Sequence, residues 1–460
     1  MGVQVPRAGR HAQAFGAHEF CVAPCLYCES HEAGIVRAMK PLRLLRQAAV
    51  DPLLALMLAL GFSSGLPFLL IFSTQSAWLR ESGVPMERIG LMSYCALAFS
   101  FKFVWAPLVD RFDMPVLARW LGRRRGWMLV AQFGVAAGLA GLAFAQPRQS
   151  LAWSVVFAAM TAFAAATQDV AIDGWRIDAA PPERQGVMVA VYSLGYRIAM
   201  ISAGAGALYL ADYGGWRTAY LVMSALTVVG MIACLLSPRL DRAASVEKPT
   251  FQTSFVAPIA DLIRRYGPAI APILLLVAFY RLPDFVSGVM ANPLYIDLGF
   301  TKSDIATVSK LYGVWVGIAG AFAGGWLAMK LGLMPTLLIG GLAASSSHLA
   351  LAFLAGHPGR LDLLTLAVSI ENFAGGFAGA ALIAFMSSLV SPAYAATQYA
   401  LLSSLYALPG KFIGGLSGFM VAAMGYPQFF ASTALIGVPV AALGLLVWRM
   451  MARTTKPVVA

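Results

Sequence analysis

Charge is scarce in this chain. Asp, Glu, Lys and Arg make up 12% of its 460 residues, about half of what a soluble domain carries. That excludes a fold that keeps its whole surface in water. Acids are scarcer still, 21 against 33 Lys and Arg, for a formal net charge of +12. On a soluble chain such a surplus would suggest nucleic acid, but this one has too little polar surface to lay along phosphates, and no nucleic-acid partner is expected. A basic bias has another source in membrane proteins, whose cytoplasmic loops are rich in Lys and Arg. Histidine and cysteine number five each. No catalytic triad, no G-x-x-x-x-G-K-[ST] phosphate loop and no membrane-embedded metal cluster can be read, so neither a cofactor nor a metal is expected, nor is ATP-driven pumping by this chain alone.

What is present is apolar: 59% of the residues are hydrophobic, in runs near twenty long that recur along the whole length. That is the signature of membrane helices, and the class is an all-α polytopic membrane protein. Twelve spans are predicted, at 52–78, 87–109, 128–145, 151–173, 187–211, 218–236, 269–298, 304–328, 335–355, 363–390, 397–423 and 428–450. The charged stretch 237–268 reads as a cytoplasmic linker between a six-helix half at 48–236 and another at 269–452, with a cytoplasmic tail at 453–460. About four times as many basic residues fall on the linker side of the spans as on the other, which places both termini in the cytoplasm.

The two halves show internal symmetry. YSLGYR (192–197) parallels YALPGK (406–411), with a tyrosine five residues before a cation in both. The spans at 52–78 and 269–298 each carry an interrupting proline, Pro67 and Pro283. Interrupted helices in corresponding positions of two halves point to a transporter binding site. Residues 1–47 read as a disordered or misannotated extension. Its Cys21, Cys25 and Cys28 have the C-x3-C-x2-C spacing of radical SAM enzymes, but that chemistry needs a barrel-sized domain. Met39, just before KPLRLLR, is an alternative start.

The organising stretch is ATQDVAIDGWRID (166–178). Asp169 and Asp173, four residues apart, share one helix face. A charge at bilayer depth costs about 2.5–3.5 kcal/mol on insertion scales, so both should face a polar path or a cation.

Several blocks carry a family resemblance. The A-P-L-V-D-R loop after the second span is similar to the G-x-L-x-D-R loop of the major facilitator superfamily. GFSSGLPF, FKFVWAPLVDR, GRRRGW, ATQDVAID, GYRIAM, YRLPD and YIDLGFTKSDIATVSK, in that order across residues 50 to 450, together resemble the AmpG-type muropeptide permeases. The resemblance implies a major facilitator-type bundle in the bacterial inner membrane. It also implies proton-driven import of N-acetylglucosaminyl-1,6-anhydro-N-acetylmuramyl peptides for peptidoglycan recycling, linked in some bacteria to β-lactamase induction. Acetyl-CoA transporter-like permeases are relatives within the same branch.

The charges at membrane depth suit such a cargo. Cations Lys102, Arg197, Arg281, Lys310 and Lys411 outnumber acids Asp169, Asp173, Asp284 and Glu371, and muropeptides carry carboxylates that Arg and Lys can hold. Proton coupling needs a carboxylate whose hold on its proton desolvation raises and a nearby cation lowers. Asp169, Asp173 and Glu371 are the candidates. Gln168, Tyr196, Tyr280, Trp315, Asn372, Gln398 and Tyr406 could offer flat surfaces and hydrogen bonds to sugar. Asp110, Arg111, Arg176 and Asp178 are expected at an inner gate. The glycine series 313, 317, 320, 324 and 410, 414, 418 should let helices approach closely.

The expected function is therefore proton-coupled muropeptide import by a monomer among membrane lipids, and the chain is not expected to be an enzyme. Alternatives are a permease for another bulky anion, such as a CoA ester or siderophore, and a membrane-bound enzyme or sensor of wall fragments.

Overall fold

The computed structural model describes residues 51–112, 114–115, 117–180, 182–240, 256–391 and 394–454. The extension with Cys21, Cys25 and Cys28 lies outside them. Among the described residues every regular element is helical.

The first half opens with α1 (Pro52–Leu70), where the Asp51 carboxylate accepts from the Leu53 amide at 3.0 Å and Pro52 starts the first turn, a favourable N-terminus. After a break at Ile71 and Phe72 it continues as α2 (Ser73–Glu81). The stretch expected as one helix over 87–109 is instead a chain of short pieces. These are α3 (Met86–Met92), a 3-10 turn at Ser93–Leu97, α4 (Ala98–Phe101), a 3-10 turn at Lys102–Val104 and α5 (Ala106–Arg111). The Ser93 hydroxyl donates to the Gly90 carbonyl at 2.7 Å, and such local bonding competes with the helical ladder. Then come α6 (Leu117–Leu121), α7 (Arg123–Phe144), α8 (Leu151–Ala179) and α9 (Pro182–Ile201). A π turn at Ser202–Gly206 leads into α10 (Ala207–Leu226) and α11 (Val228–Leu236).

The second half repeats the plan. It runs through α12 (Ala257–Tyr266), α13 (Ile270–Phe279), α14 (Leu282–Asp297), α15 (Lys302–Ile305), a π turn at Ala306–Tyr312 and α16 (Gly313–Leu331). It ends with α17 (Leu333–Leu354), α18 (Leu361–Leu389), α19 (Ala395–Gly414) and α20 (Ser417–Thr454). Helix α12 falls inside the stretch read as linker. The repeat is in register: Gly122 and Gly332, Leu151 and Leu361, and Gly215 and Gly425 all stand 210 positions apart. Gly215 and Gly425 have φ of 77° and 76° and break α10 and α20 at the same place in each half.

Among the described residues nine helices are long and apolar enough to cross a membrane. The surface fits lipid: Trp153, Phe163, Phe322 and Val438 are more than half exposed, which water would not tolerate over so large an area. Between lipid-bathed helices, close packing replaces hydrophobic collapse as the cohesive force. At Gly195 on α9 a Cβ would fall 2.0 Å from the Leu58 carbonyl oxygen of α1, so the two backbones touch. Gly320 of α16 lies as tightly on Phe373 of α18.

Candidate functional site

Hydrogen bonds and ion pairs between the halves gather at the end away from the linker. Arg80 on α2 pairs with Asp297 at the end of α14, and the Tyr426 hydroxyl donates to the other oxygen of Asp297 at 2.8 Å. Lys302 lies 2.7 Å from Glu81 and 3.8 Å from Asp212. The Ser303 hydroxyl donates to Asp212, the Asn292 amide donates to the Ser73 carbonyl, and Tyr209 bonds Thr307 at 2.6 Å. Helix ends brought together by the repeat thus form a distal seal.

Below the seal each half contributes a charged cluster. In the first, the Asp169 carboxylate on α8 accepts from the Ser64 hydroxyl of α1 at 2.8 Å and has the Lys102 ammonium at 3.6 Å. The serine is delivered by the α1–α8 contact and the lysine by the broken helix beside it. Tyr192 lies against Ser64 in the field of Asp169 and Asp173, and Tyr196 also feels Asp169.

In the second half, Arg281 and Asp284 pair at 3.4 Å, and Arg281 donates to the Gly375 carbonyl of α18 at 2.6 Å. Glu371, also on α18, lies in the field of Asp284, Lys310 and Arg281. The aliphatic stem of Lys310 lies beside Gly204 of the first half, 3.5 Å from where a Cβ there would sit. The Asn372 amide donates to the Val368 carbonyl at 2.9 Å, next to Glu371. Lys411 reaches across the seam: its ammonium donates to the Ser100 hydroxyl at 2.8 Å and the Ala96 carbonyl at 3.3 Å.

Other expected residues stand apart from these clusters. Gln168 is fully buried and donates to the Ser63 hydroxyl at 3.0 Å, packing α8 on α1. Tyr280 is buried and donates to the Leu337 carbonyl at 2.7 Å. Gln398 knits α19 to α12, donating to the Pro258 carbonyl and to Asp261, both at 2.9 Å. Trp315 is 70% exposed, and Tyr406 lies against Phe285 with ring centroids 6.1 Å apart. Arg197 is exposed, with no acid within ion-pair reach among the described residues.

Toward the linker end Arg176 and Asp178 take different partners. Arg176 pairs with Asp173 at 3.5 Å and donates to Gln185 at 2.8 Å, while Asp178 holds Arg124 at 3.2 Å. The Arg124 guanidinium lies where a Cβ on Gly174 would be. Asp110 and Arg111 are on α5, and their side chains lie outside the described ones.

Sequence reasoning missed Ser64, Ser100, Tyr192, Arg124 and His348. Ser64, Arg124 and Tyr192 sit in blocks already singled out, GFSSGLPF, GRRRGW and YSLGYR, but a hydroxyl on an apolar helix carries no signal of its own. His348 is fully buried on α17 with one ring nitrogen 3.1 Å from the Ser287 hydroxyl and the other without a partner among the described residues.

Two related helical halves, sealed at one end and each carrying a charged cluster, have the construction of a secondary transporter. Residues 53–410 match the Major Facilitator Superfamily, and the chain belongs to that superfamily. Over 408 residues it is 35% identical to the anhydromuropeptide permease of Escherichia coli K12, covering 88% of this chain and 82% of that one. A Rickettsia conorii protein provisionally named transporter AmpG 4 is 35% identical over 386 residues, 83% of this chain and 92% of its own length. Within the superfamily the chain is an AmpG-type permease, a multi-pass protein of the bacterial inner membrane. A bacterial homologue of the human lysosomal transporter Spinster, solved inward-facing and unoccupied, matches with a TM-score of 0.67 at 18% identity. The match covers 88% of this chain and 98% of that one and concerns the fold alone.

Proposed function

We propose that this permease carries anhydromuropeptides, the sugar–peptide fragments released from the cell wall, into the cell in symport with protons. The observation that carries the reading is the 35% identity to a permease of that name across most of both chains. The charged clusters support it: their cations Lys102, Arg281, Lys310 and Lys411 outnumber their acids Asp169, Asp284 and Glu371, which suits an anionic cargo.

Twelve passes and cytoplasmic termini go with this reading. The stretch Arg184–Leu236 has 53 residues, about 80 Å of helix against a hydrocarbon core of about 30 Å. It therefore makes two passes turning at Gly215. Gly425 turns the last two passes, and the broken pieces of 86–111 make the second. The basic linker end faces the cytoplasm, so the distal seal faces outward and cargo leaves between the halves on the inner side. One chain holds both clusters, so a monomer suffices.

Asp169 and Glu371 are the proton carriers in this reading. Asp169 sits beside Lys102 at 3.6 Å and Glu371 in the field of Lys310, and each can exchange that influence for a proton as the halves rock. One charge moved through 100 mV supplies about 2.3 kcal/mol, close to fifty-fold accumulation.

The test is uptake of radiolabelled GlcNAc-anhydroMurNAc-tripeptide by proteoliposomes, with and without an inward proton gradient. Gradient-dependent uptake, unaffected by excess CoA ester, is expected. Absence of uptake by folded protein, or competition by CoA ester, would move the cargo to another large anion.

A further inference from the structure

We infer that Lys411 is the receptor for a carboxylate of the cargo, and that the cargo draws it off a seat on the opposite half. The inference rests on the muropeptide reading and narrows it to one ion pair.

The observation is a cation with the wrong partners. Lys411 stands on α19 in YALPGKF, at membrane depth. An ammonium has three donors, and the two contacts it makes go to neutral oxygens, the Ser100 hydroxyl at 2.8 Å and the Ala96 carbonyl at 3.3 Å. Among the described residues no carboxylate lies within ion-pair distance of it. Its neighbours on the same seam are treated differently. Lys102 has Asp169 at 3.6 Å, and Lys302 at the seal has two acids. Lys102 is moreover close enough that its charge acts on Lys411. A half-buried cation held by neutral dipoles near a second cation is an incomplete arrangement, and an anion completes it.

The seat itself explains why the lysine is held and not lost to solvent. Ala96 belongs to the 3-10 turn Ser93–Leu97 and Ser100 to α4 just after it. Carbonyls in such turns have poorer ladder geometry than in an α-helix and can accept from elsewhere. Both acceptors belong to the first half and Lys411 to the second, so the seat is also a tie between halves. A cargo carboxylate, offering a charge-assisted bond, outcompetes the seat and unties that seam. Arg197 on α9 also has no acid partner among the described residues, which suits a cargo with more than one carboxylate.

The experiment measures binding of GlcNAc-anhydroMurNAc-tripeptide and of the same molecule with its carboxylates amidated, to the full-length protein in nanodiscs. Wild-type protein is expected to prefer the carboxylate form at least about tenfold. Lys411→Gln should abolish that preference by weakening binding of the carboxylate form, and Lys411→Arg should restore it. Ser100→Ala, which weakens the seat and keeps the lysine, should bind the carboxylate form roughly fivefold tighter. Equal binding of both forms by wild type, or equal loss of both in Lys411→Gln, overturns this inference alone. Wild-type protein that binds neither form overturns the muropeptide reading and this inference with it.

Discussion

At the scale of single residues, Asp169 shows how the membrane interior makes a carboxylate useful. It has one neutral donor, Ser64, and one cation, Lys102 at 3.6 Å. In water such a pair would contribute little; at membrane depth neither charge is tolerable alone. Replacing the acid by its amide keeps the hydrogen bond from Ser64 and removes the proton site. Asp169→Asn and Glu371→Gln should each lower proton-driven accumulation from about fifty-fold to near unity, while cargo exchange without a gradient persists. Parallel measurement of accumulation and counterflow in proteoliposomes checks this. Loss of both activities would assign the residue to cargo binding or folding. Asp173, by contrast, is half exposed and already paired with Arg176, so Asp173→Asn should retain accumulation. The four-residue spacing of the two aspartates was readable along the chain. Which one faces Lys102 depends on a helix packed from elsewhere.

At the scale of elements, the irregular places are the informative ones. The 3-10 turns of 93–104 and the π turns at Ser202–Gly206 and Ala306–Tyr312 all lie on helices at the seam between the halves, and the two π turns meet where Lys310 lies beside Gly204. Such irregular turns often mark functional positions in helices. No residue pattern announced them, because an apolar run reads the same whether its ladder is α, π or 3-10. Glycine packing was more legible: the series 313, 317, 320 and 324 does lie along α18, close enough that a Cβ on Gly320 would fall 2.0 Å from the Phe373 carbonyl oxygen. A matched pair on α9 tests the backbone contact. Gly195→Ala would drive a methyl into the Leu58 carbonyl and should destabilise the protein by about 3 kcal/mol. Gly186→Ala meets nothing within 4 Å and should be neutral or stabilising by up to about 1 kcal/mol. Thermal unfolding in detergent separates them; equal Tm values would mean that α1 and α9 are further apart than found.

At the scale of the whole molecule, the distal seal holds the halves in one arrangement. Arg80–Asp297 and Lys302 with Glu81 and Asp212 are its charged members. Partly exposed pairs of this kind contribute up to about 1 kcal/mol each, so removing all three should shift the balance toward a distally open state by roughly tenfold or more. Asp297→Asn combined with Lys302→Gln, in a Ser73→Cys background, should therefore speed labelling by a membrane-impermeant maleimide about tenfold. Unchanged labelling would show that apolar packing alone closes the seal. Orientation has its own test. A phosphatase fused after Leu298 should be active outside the cell, and a cytoplasmic signal there would invert the topology.

The class of protein was written in composition. Apolar runs near bilayer length force helices and scarcity of charge forces lipid contact, because these properties depend only on neighbours along the chain. The 210-residue register of Gly122 with Gly332 and Gly215 with Gly425 needed the backbone, since only its φ angles distinguish those glycines from the rest. Partnership was decided in three dimensions alone. Gln168, Tyr280 and Gln398 looked like cargo ligands and turned out to bond Ser63, the Leu337 carbonyl and α12, whereas Ser64 and Ser100 gained importance from helices more than a hundred residues away. A polar side chain in a membrane helix must find some partner, and whether that partner is a neighbouring helix or the space between the halves follows from the rotation of each helix in the bundle, which packing sets and local sequence does not.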